Sequence, residues 1–494
     1  MPLRILQNTN EMSQPANTCE EKSFHSKLRS HQGASNHSDP RVRLKPSQTI
    51  NDNPERNNLK WLKDIVDTEC QEKIPEEIES LQNTGSANDG DIDASGDDTC
   101  DSSSPSQDAS GESARKNDRT QFIVAYATYV NYQRESDYQI NQLRRNLESL
   151  PPIHQKWLQS PPPEEDANWL SQNDRLTYMR NCTTYNYKLI CDMLVSSVSF
   201  WSVPELKTSE GLKKELREVK CHPNDLHDFV VKDYKSKFNT EKVRSTLQQI
   251  VREWSEEYEL ERVQSYGIIL QELKKRLPVD DSNWNQIRVL CPGSGLGRLP
   301  LEICLAGYES IANENSYFMM MMCQFILRKS TRKNQFLIFP WVHEVNNLIN
   351  PFYQLRPVYF PDVLPGDRLP NSKFECYFGD FLELDNDYHN LDAICTCFFI
   401  DTASNIIEVI EKIYELLKPG GIWINLGPLL YHYSEINEMS LELTLTQILN
   451  VSRIIGFDIQ NPTLVESGYA NDYASILQVV YRSVFFCGRE GRER

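Results

Sequence analysis

The chain has 494 residues, a formal net charge of −18, 39% hydrophobic residues and 25% charged residues; at roughly 150 residues per domain it has room for two or three domains with tails. That hydrophobic share lies below the roughly 45–50% usual for globular chains, so a folded core is expected beside a polar, unfolded portion. The acidic balance argues against non-specific nucleic-acid binding, which needs a basic footprint. The longest apolar stretch, FMMMMCQFIL, is about half of a bilayer span, so no membrane partner is expected.

The opening MPLRILQNTNEMSQ lacks a continuous apolar segment, and no secretory leader is expected. Thirteen cysteines show no CxxC pair, which disfavours a disulfide scaffold or a metal ribbon and points to a reducing cytoplasm or nucleus. Residues 1–118 carry a net charge of −9, half of the total. Within them Thr84 to Ser113 hold eight acids, no Lys or Arg, and almost nothing apolar beyond Ile92. Such a segment cannot offset its ordering entropy, so a disordered acidic tail is expected over 1–118. Leu59, Leu62, Ile65 and Val66 hint at one short amphipathic helix inside it.

Residues 119–280 read as a helical N-terminal domain. Phe122, Ala125, Tyr126, Tyr129 and Tyr132 recur at helical spacing until Pro151 and Pro152 stop the run. A second helix is expected over 185–200 and a third from Asn239 and Thr240 through Leu273. From 281 to 490 strand-length apolar runs alternate with helical patterns: strands at 287–291, 310–314, 373–380, 391–400 and 421–427, helices at 299–307, 315–329, 406–418 and 439–456, and a closing strand within 477–487. The alternation predicts an α/β fold, a Rossmann-like parallel sheet covered by helices, with an insertion over about 330–372.

CPGSGLGRL, residues 291–299, is the most informative local feature. Glycines after a first strand admit positive φ and let backbone amides approach a ligand. The spacing is GxGxG, with Arg298 where a dinucleotide fingerprint wants a small residue, and no GxxxxGK[ST] is present. A nucleoside without phosphate, such as S-adenosylmethionine, is favoured over a dinucleotide. Glu314 lies 21 residues beyond Gly293, where this topology grips ribose hydroxyls. Asp380 and Phe381, at the next strand end, are candidates for the adenine region.

PGSGLGRL, NENSYFMM, FPWVHEVNN, GDF, CFFIDTASN and KPGGIWINLGPLLYHY together resemble the carnosine N-methyltransferase family, a class I methyltransferase family, over about 119–487. The resemblance implies methyl transfer from S-adenosyl-L-methionine to the π nitrogen (N1) of the carnosine imidazole, giving anserine. It implies that Gln249 and Arg252 reach the methionyl end of the cofactor, and that Gly293, Gly295, Glu314, Asp380, Phe381 and Cys397 line the rest of it. Asp401, His432, Tyr469 and Tyr481 match the substrate pocket, with Asp401 and His432 as the catalytic pair and no metal. Two positions depart from the family pattern: Ser404 stands for a histidine, and Val479 for a tyrosine.

An imidazole with a pKa near 6.5 is largely neutral at pH 7 and carries its own lone pair, so tautomer choice is the difficulty. A carboxylate accepting the τ N–H would aim the π lone pair at the methyl group; Asp401 is placed for this, or for capping the helix that follows. The expected partner is a small histidine-containing dipeptide, with histidine peptides or proteins as the alternative substrate, a non-catalytic binding protein less favoured, and a nicotinamide oxidoreductase less still. A homodimer is compatible with this reading.

Overall fold

The computed structural model describes residues 108–161, 169–218, 240–366, 373–434 and 439–491. The acidic segment up to residue 107, including the helix hinted at by Leu59 to Val66, lies outside the described residues. Five helices come first: α1 (Asp108–Val130), α2 (Tyr132–Glu148), α3 (Pro152–Gln159), α4 (Gln172–Trp201) and α5 (Ser209–Glu218). α1 thus begins inside the range assigned to the tail. α6 (Thr240–Trp254) and α7 (Glu259–Arg262) follow, and a π-turn at Val263–Gly267 leads into α8 (Ile268–Arg276). The expected single helix from residue 240 onward is therefore broken after Trp254, where Ser255 adopts extended backbone. That break leaves the last turn of α6 free to meet the glycine loop.

The remaining elements are β1 (Arg288–Pro292), α9 (Arg298–Leu305), β2 (Glu309–Glu314), α10 (Tyr317–Lys329), β3 (Phe336–Ile338), α11 (Pro351–Leu355), β4 (Val358–Phe360), β5 (Phe374–Phe378), β6 (Leu391–Cys397), α12 (Ile406–Leu416), β7 (Leu417–Gly427), α13 (Leu445–Ile455), β8 (Phe457–Ser467) and β9 (Tyr481–Glu490). Seven strands form one sheet in the order β5-β2-β1-β6-β7-β9-β8. The first five are parallel, and β9 runs antiparallel between β7 and β8. The chain steps outward from β1 to β2 and β5, then returns to β6 on the other side of β1. The crevice at the strand ends where order reverses is where such sheets bind ligands.

Alternation along β1 divides the core. Val289 and Cys291 pack with Leu270, Leu273, Leu299 and Ile303 of α8 and α9, while Leu290 between them faces Ile406, Ile410 and Ile448 of α12 and α13. A third cluster joins Ile123, Tyr129 and Ile190 of the N-terminal helices to Ile250 and Trp254 of α6 and Met320 to Met322 of α10. α6 is thereby packed against α10, beside the end of β1. The segment between α10 and β5 forms a small antiparallel pair, β3 with β4.

Candidate active site

The loop from Gly293 to Gly297 links β1 to α9. Gly293 has φ +62, and a Cβ there would lie 2.5 Å from the Phe399 ring. Gly295 has φ +57, and its Cβ would lie 2.5 Å from Glu253 Oε1. Conformation and space both close these positions to side chains. Glu314, at the end of β2, holds the loop from one side: Oε2 accepts the Gly295 N–H at 2.8 Å, and Oε1 accepts the N–H groups of Asn315 and Ser316 at 3.0 and 2.8 Å. Those three bonds leave one of the roughly four acceptor sites of the carboxylate open to a further donor. Burial pushes the Glu314 carboxyl up, and the three backbone donors pull it back.

Glu253 holds the loop from the other side. It is 1% exposed; Oε1 accepts from Gln249 Nε2 at 2.5 Å and Leu296 N at 3.1 Å, and Oε2 accepts from Arg298 N at 3.0 Å. Gln249, expected at the methionyl end, thus spends an amide hydrogen on Glu253 and reaches the loop through it. Sequence reasoning missed Glu253. Its signal is an acid one turn after Gln249, where the C-terminal dipole of α6 disfavours negative charge.

Arg252 is 3% exposed. Nε pairs with Glu261 Oε1 at 3.1 Å and Nη1 donates to the Tyr266 hydroxyl at 2.7 Å. The guanidinium lies 4.4 Å from the Tyr469 ring centroid, 5.0 Å from that of Tyr266 and 5.4 Å from that of Phe398. Burial alone would lower its pKa, but Tyr266, Tyr469, Cys397 and Glu261 hold it well above the usual arginine value. Nη2 is buried with no hydrogen-bond partner. A buried donor left unsatisfied costs about 1–3 kcal/mol, and a ligand carboxylate would relieve it. This orphan donor and the two closed glycine positions fit a cofactor that ends in an amino-acid carboxylate.

The segment from Cys397 to Asp401 ties the other candidates together. Phe398 lies 4.9 Å from Tyr469 and 6.0 Å from Tyr481; Phe399 faces Gly293 and lies edge-on to Phe381 at 5.5 Å. Phe381 is buried with the sheet core, and half-buried Asp380 accepts the Leu382 N–H at 2.9 Å, capping the turn that carries it. Burial pushes the Cys397 thiol up to about 11, against the pull of Arg252, so at neutral pH it is a lining group and no nucleophile. Asp401 is 2% exposed. Its Oδ2 accepts the Leu430 N–H at 2.8 Å and its carbonyl accepts the His432 N–H at 3.1 Å. Asn405 caps α12, accepting from Ile407 N at 3.1 Å, so the capping role considered for Asp401 is ruled out. Burial raises the Asp401 carboxyl, while Leu430 and His432 act to lower it. His432 is exposed, Tyr469 is 40% exposed and Tyr481 is half-buried.

Three non-glycine residues in the left-handed region sit beside these groups: Phe398 at φ +54, Tyr431 at +43 and Ala470 at +49. Each is next in sequence to a candidate, Cys397, His432 and Tyr469 respectively. Backbone strain of this kind concentrates at functional sites. Phe398, Phe399, Tyr266 and Glu261 were also missed from sequence. FF after a strand and an acid inside a helical run have no local signature, because their roles exist only across elements.

A glycine loop after the first strand, an acid ending the second and this strand order define a Rossmann-like class I methyltransferase. The family model for carnosine N-methyltransferase matches residues 230–492. Carnosine N-methyltransferase of Mus musculus is 32% identical over 388 residues, covering 78% of this chain and 90% of that protein. That of Schizosaccharomyces pombe is 40% identical over 263 residues, covering 50% and 70%, and carnosine N-methyltransferase unmet of Drosophila melanogaster is 40% identical over 251 residues, covering 50% and 55%. The chain belongs to the carnosine N-methyltransferase family.

Proposed function

We propose that the chain methylates the imidazole π nitrogen of carnosine, giving anserine, with S-adenosyl-L-methionine as the methyl donor. The observation that carries this reading is the turn after β6, where Phe398, which packs on the Arg252 guanidinium, and the buried Asp401 carboxylate fall within five residues. S-adenosyl-L-methionine supplies an electrophilic sulfonium methyl when bound. Arg252 would hold the carboxylate end through Nη2 and Glu314 would accept one ribose hydroxyl, while Gly293 and Gly295 let the loop lie close against Phe399 and Glu253. Asp380 and Phe381 bound the adenine side.

Asp401 accepts the imidazole τ N–H and so fixes the tautomer whose π lone pair is free. It also stabilises the positive charge that develops on the ring. No strong base is required, because the imidazole is already nucleophilic near neutral pH. His432, tied by its backbone to the Asp401 carbonyl, and Tyr469 and Tyr481, joined through Phe398, orient the dipeptide. The free cysteines among the described residues support placing the reaction in a reducing compartment, the cytoplasm or nucleus.

The test is incubation of purified protein with carnosine and methyl-labelled S-adenosyl-L-methionine, with the product identified by NMR. Label on the π nitrogen is expected. Label on the τ nitrogen would overturn the tautomer assignment, and binding of S-adenosylhomocysteine without transfer to carnosine would overturn the substrate.

A further inference from the structure

We infer that Glu253 is the residue that makes the glycine loop selective for an adenosyl ligand without phosphate, because its carboxylate occupies the anion seat at the start of α9 and fixes the loop there. The inference rests on the reading of this loop as the cofactor cradle, and it names what discriminates within it. In glycine loops of this topology the amides opening the helix, together with its dipole, attract a ligand phosphate. Here the N–H groups of Leu296 and Arg298 are spent on Glu253, at 3.1 and 3.0 Å. Both carboxylate oxygens accept hydrogen bonds, a third coming from Gln249 at 2.5 Å. The group is almost wholly buried.

A phosphate approaching the same amides would have to displace these bonds and the buried carboxyl group that makes them. Arg298, which departs from the dinucleotide fingerprint, does not itself cover these amides with its side chain. Its guanidinium turns from the loop to Asp362 at 2.5 Å, to Glu302 at 2.8 Å and to the Glu253 carbonyl at 2.8 Å. The discrimination passes instead to the acid on the neighbouring helix. The space left by the absent side chain of Gly295 is taken by Glu253 Oε1, so the carboxylate and the glycine act as one device.

The experiment is calorimetric titration of the full chain, wild type, Glu253→Gln and Glu253→Ala, with S-adenosylhomocysteine and separately with adenosine 5′-diphosphate. Wild type is expected to bind the first and not the second. Both variants should lose on the order of tenfold in affinity for S-adenosylhomocysteine, since charge-assisted bonds are removed. They should also gain at least about tenfold for the diphosphate, as one amide is freed in the Gln variant and both in the Ala variant. A merely structural residue would weaken binding of S-adenosylhomocysteine without any gain for the diphosphate, and that result, or unchanged selectivity, would overturn the inference. The near-isosteric Gln variant decides the matter if the Ala variant does not fold. Wild-type protein that failed to bind S-adenosylhomocysteine would overturn the cradle reading and the inference with it, whereas wild-type binding with unshifted selectivity in the variants would overturn the inference alone.

Discussion

At Asp401 the fold buries a carboxylate that accepts a backbone N–H from the loop after β7, an arrangement that costs stability unless the group is paired. Its backbone and side chain bind the loop after β7 through His432 and Leu430; Asn would keep the shape and lose the charge. Asp401→Asn should lower kcat by about 10²–10³, the scale for losing one transition-state electrostatic partner, while calorimetry shows unchanged affinity for S-adenosylhomocysteine. Turnover near the wild-type level would remove Asp401 from the mechanism. The pH dependence follows from the direction of its shift. Burial raises the carboxyl above the ordinary aspartate value, so the acceptor is present above that raised value and lost as pH falls through it. The wild-type rate should therefore fall on the acid side more steeply than imidazole protonation alone requires, and Asp401→Asn should lose the extra step. Arg252 gives a complementary prediction. With Nη2 lacking any partner in the protein, Arg252→Ala should weaken binding of S-adenosylhomocysteine on the order of tenfold or more, and an unchanged dissociation constant would show that Nη2 meets no ligand.

Between elements, the connection from β8 to β9 is fastened to α7 by polar side chains. Glu261 Oε1 receives both Arg252 Nε and the Ala470 N–H at 2.9 Å, and Oε2 receives the Tyr473 hydroxyl at 3.3 Å. Tyr258 donates to the Asn471 carbonyl, and Arg356 pairs with Asp472 at 2.8 Å. One carboxylate thus ties the arginine assigned to the cofactor to the segment carrying Tyr469. Glu261→Gln should raise the cofactor Kd and the dipeptide KM together, each about five- to tenfold; steady-state kinetics showing a change in only one would break the link. Asp362 makes a second junction, with Arg262 at 2.6 Å and Arg298 at 2.5 Å. Burial raises its carboxyl, but the two guanidiniums more than offset this and leave it below the usual aspartate value. A depressed acid stabilises the fold above its unfolded pKa, near 3.9, and that stabilisation disappears as pH falls through the lower folded value. Asp362→Asn should therefore cost roughly 3–5 kcal/mol at neutral pH, and the thermal denaturation curves for mutant and wild type should draw together as pH falls below the unfolded value.

Over the whole molecule, the central strands were legible because they bury both faces and read as continuous apolar runs: 287–291 became Arg288–Pro292, and 310–314 became Glu309–Glu314. Boundaries moved where pairing or capping decided them. β7 begins at Leu417, ahead of the expected 421, because Leu417 pairs with Leu391. α13 begins at Leu445, after the expected 439, because Thr444 and Gln447 form a capping box. The glycine loop and Glu314 were readable from spacing, whereas Glu253, Glu261 and the Phe398–Phe399 pair gain their roles only through contacts between distant segments. All twelve candidate positions fall between Gln249 and Tyr481, and their hydrogen-bond partners fall within residues 240–490 as well. The acidic segment before α1 supplies none of the groups assigned to methyl transfer. A chain beginning at Asp108 should then keep the carnosine KM, the cofactor Kd and kcat within about twofold of the full chain, since no assigned contact is lost. Parallel initial-rate and calorimetric measurements on the two chains check this; a drop of tenfold or more in kcat at equal folded fraction would mean that the acidic segment reaches the site and takes part in the reaction.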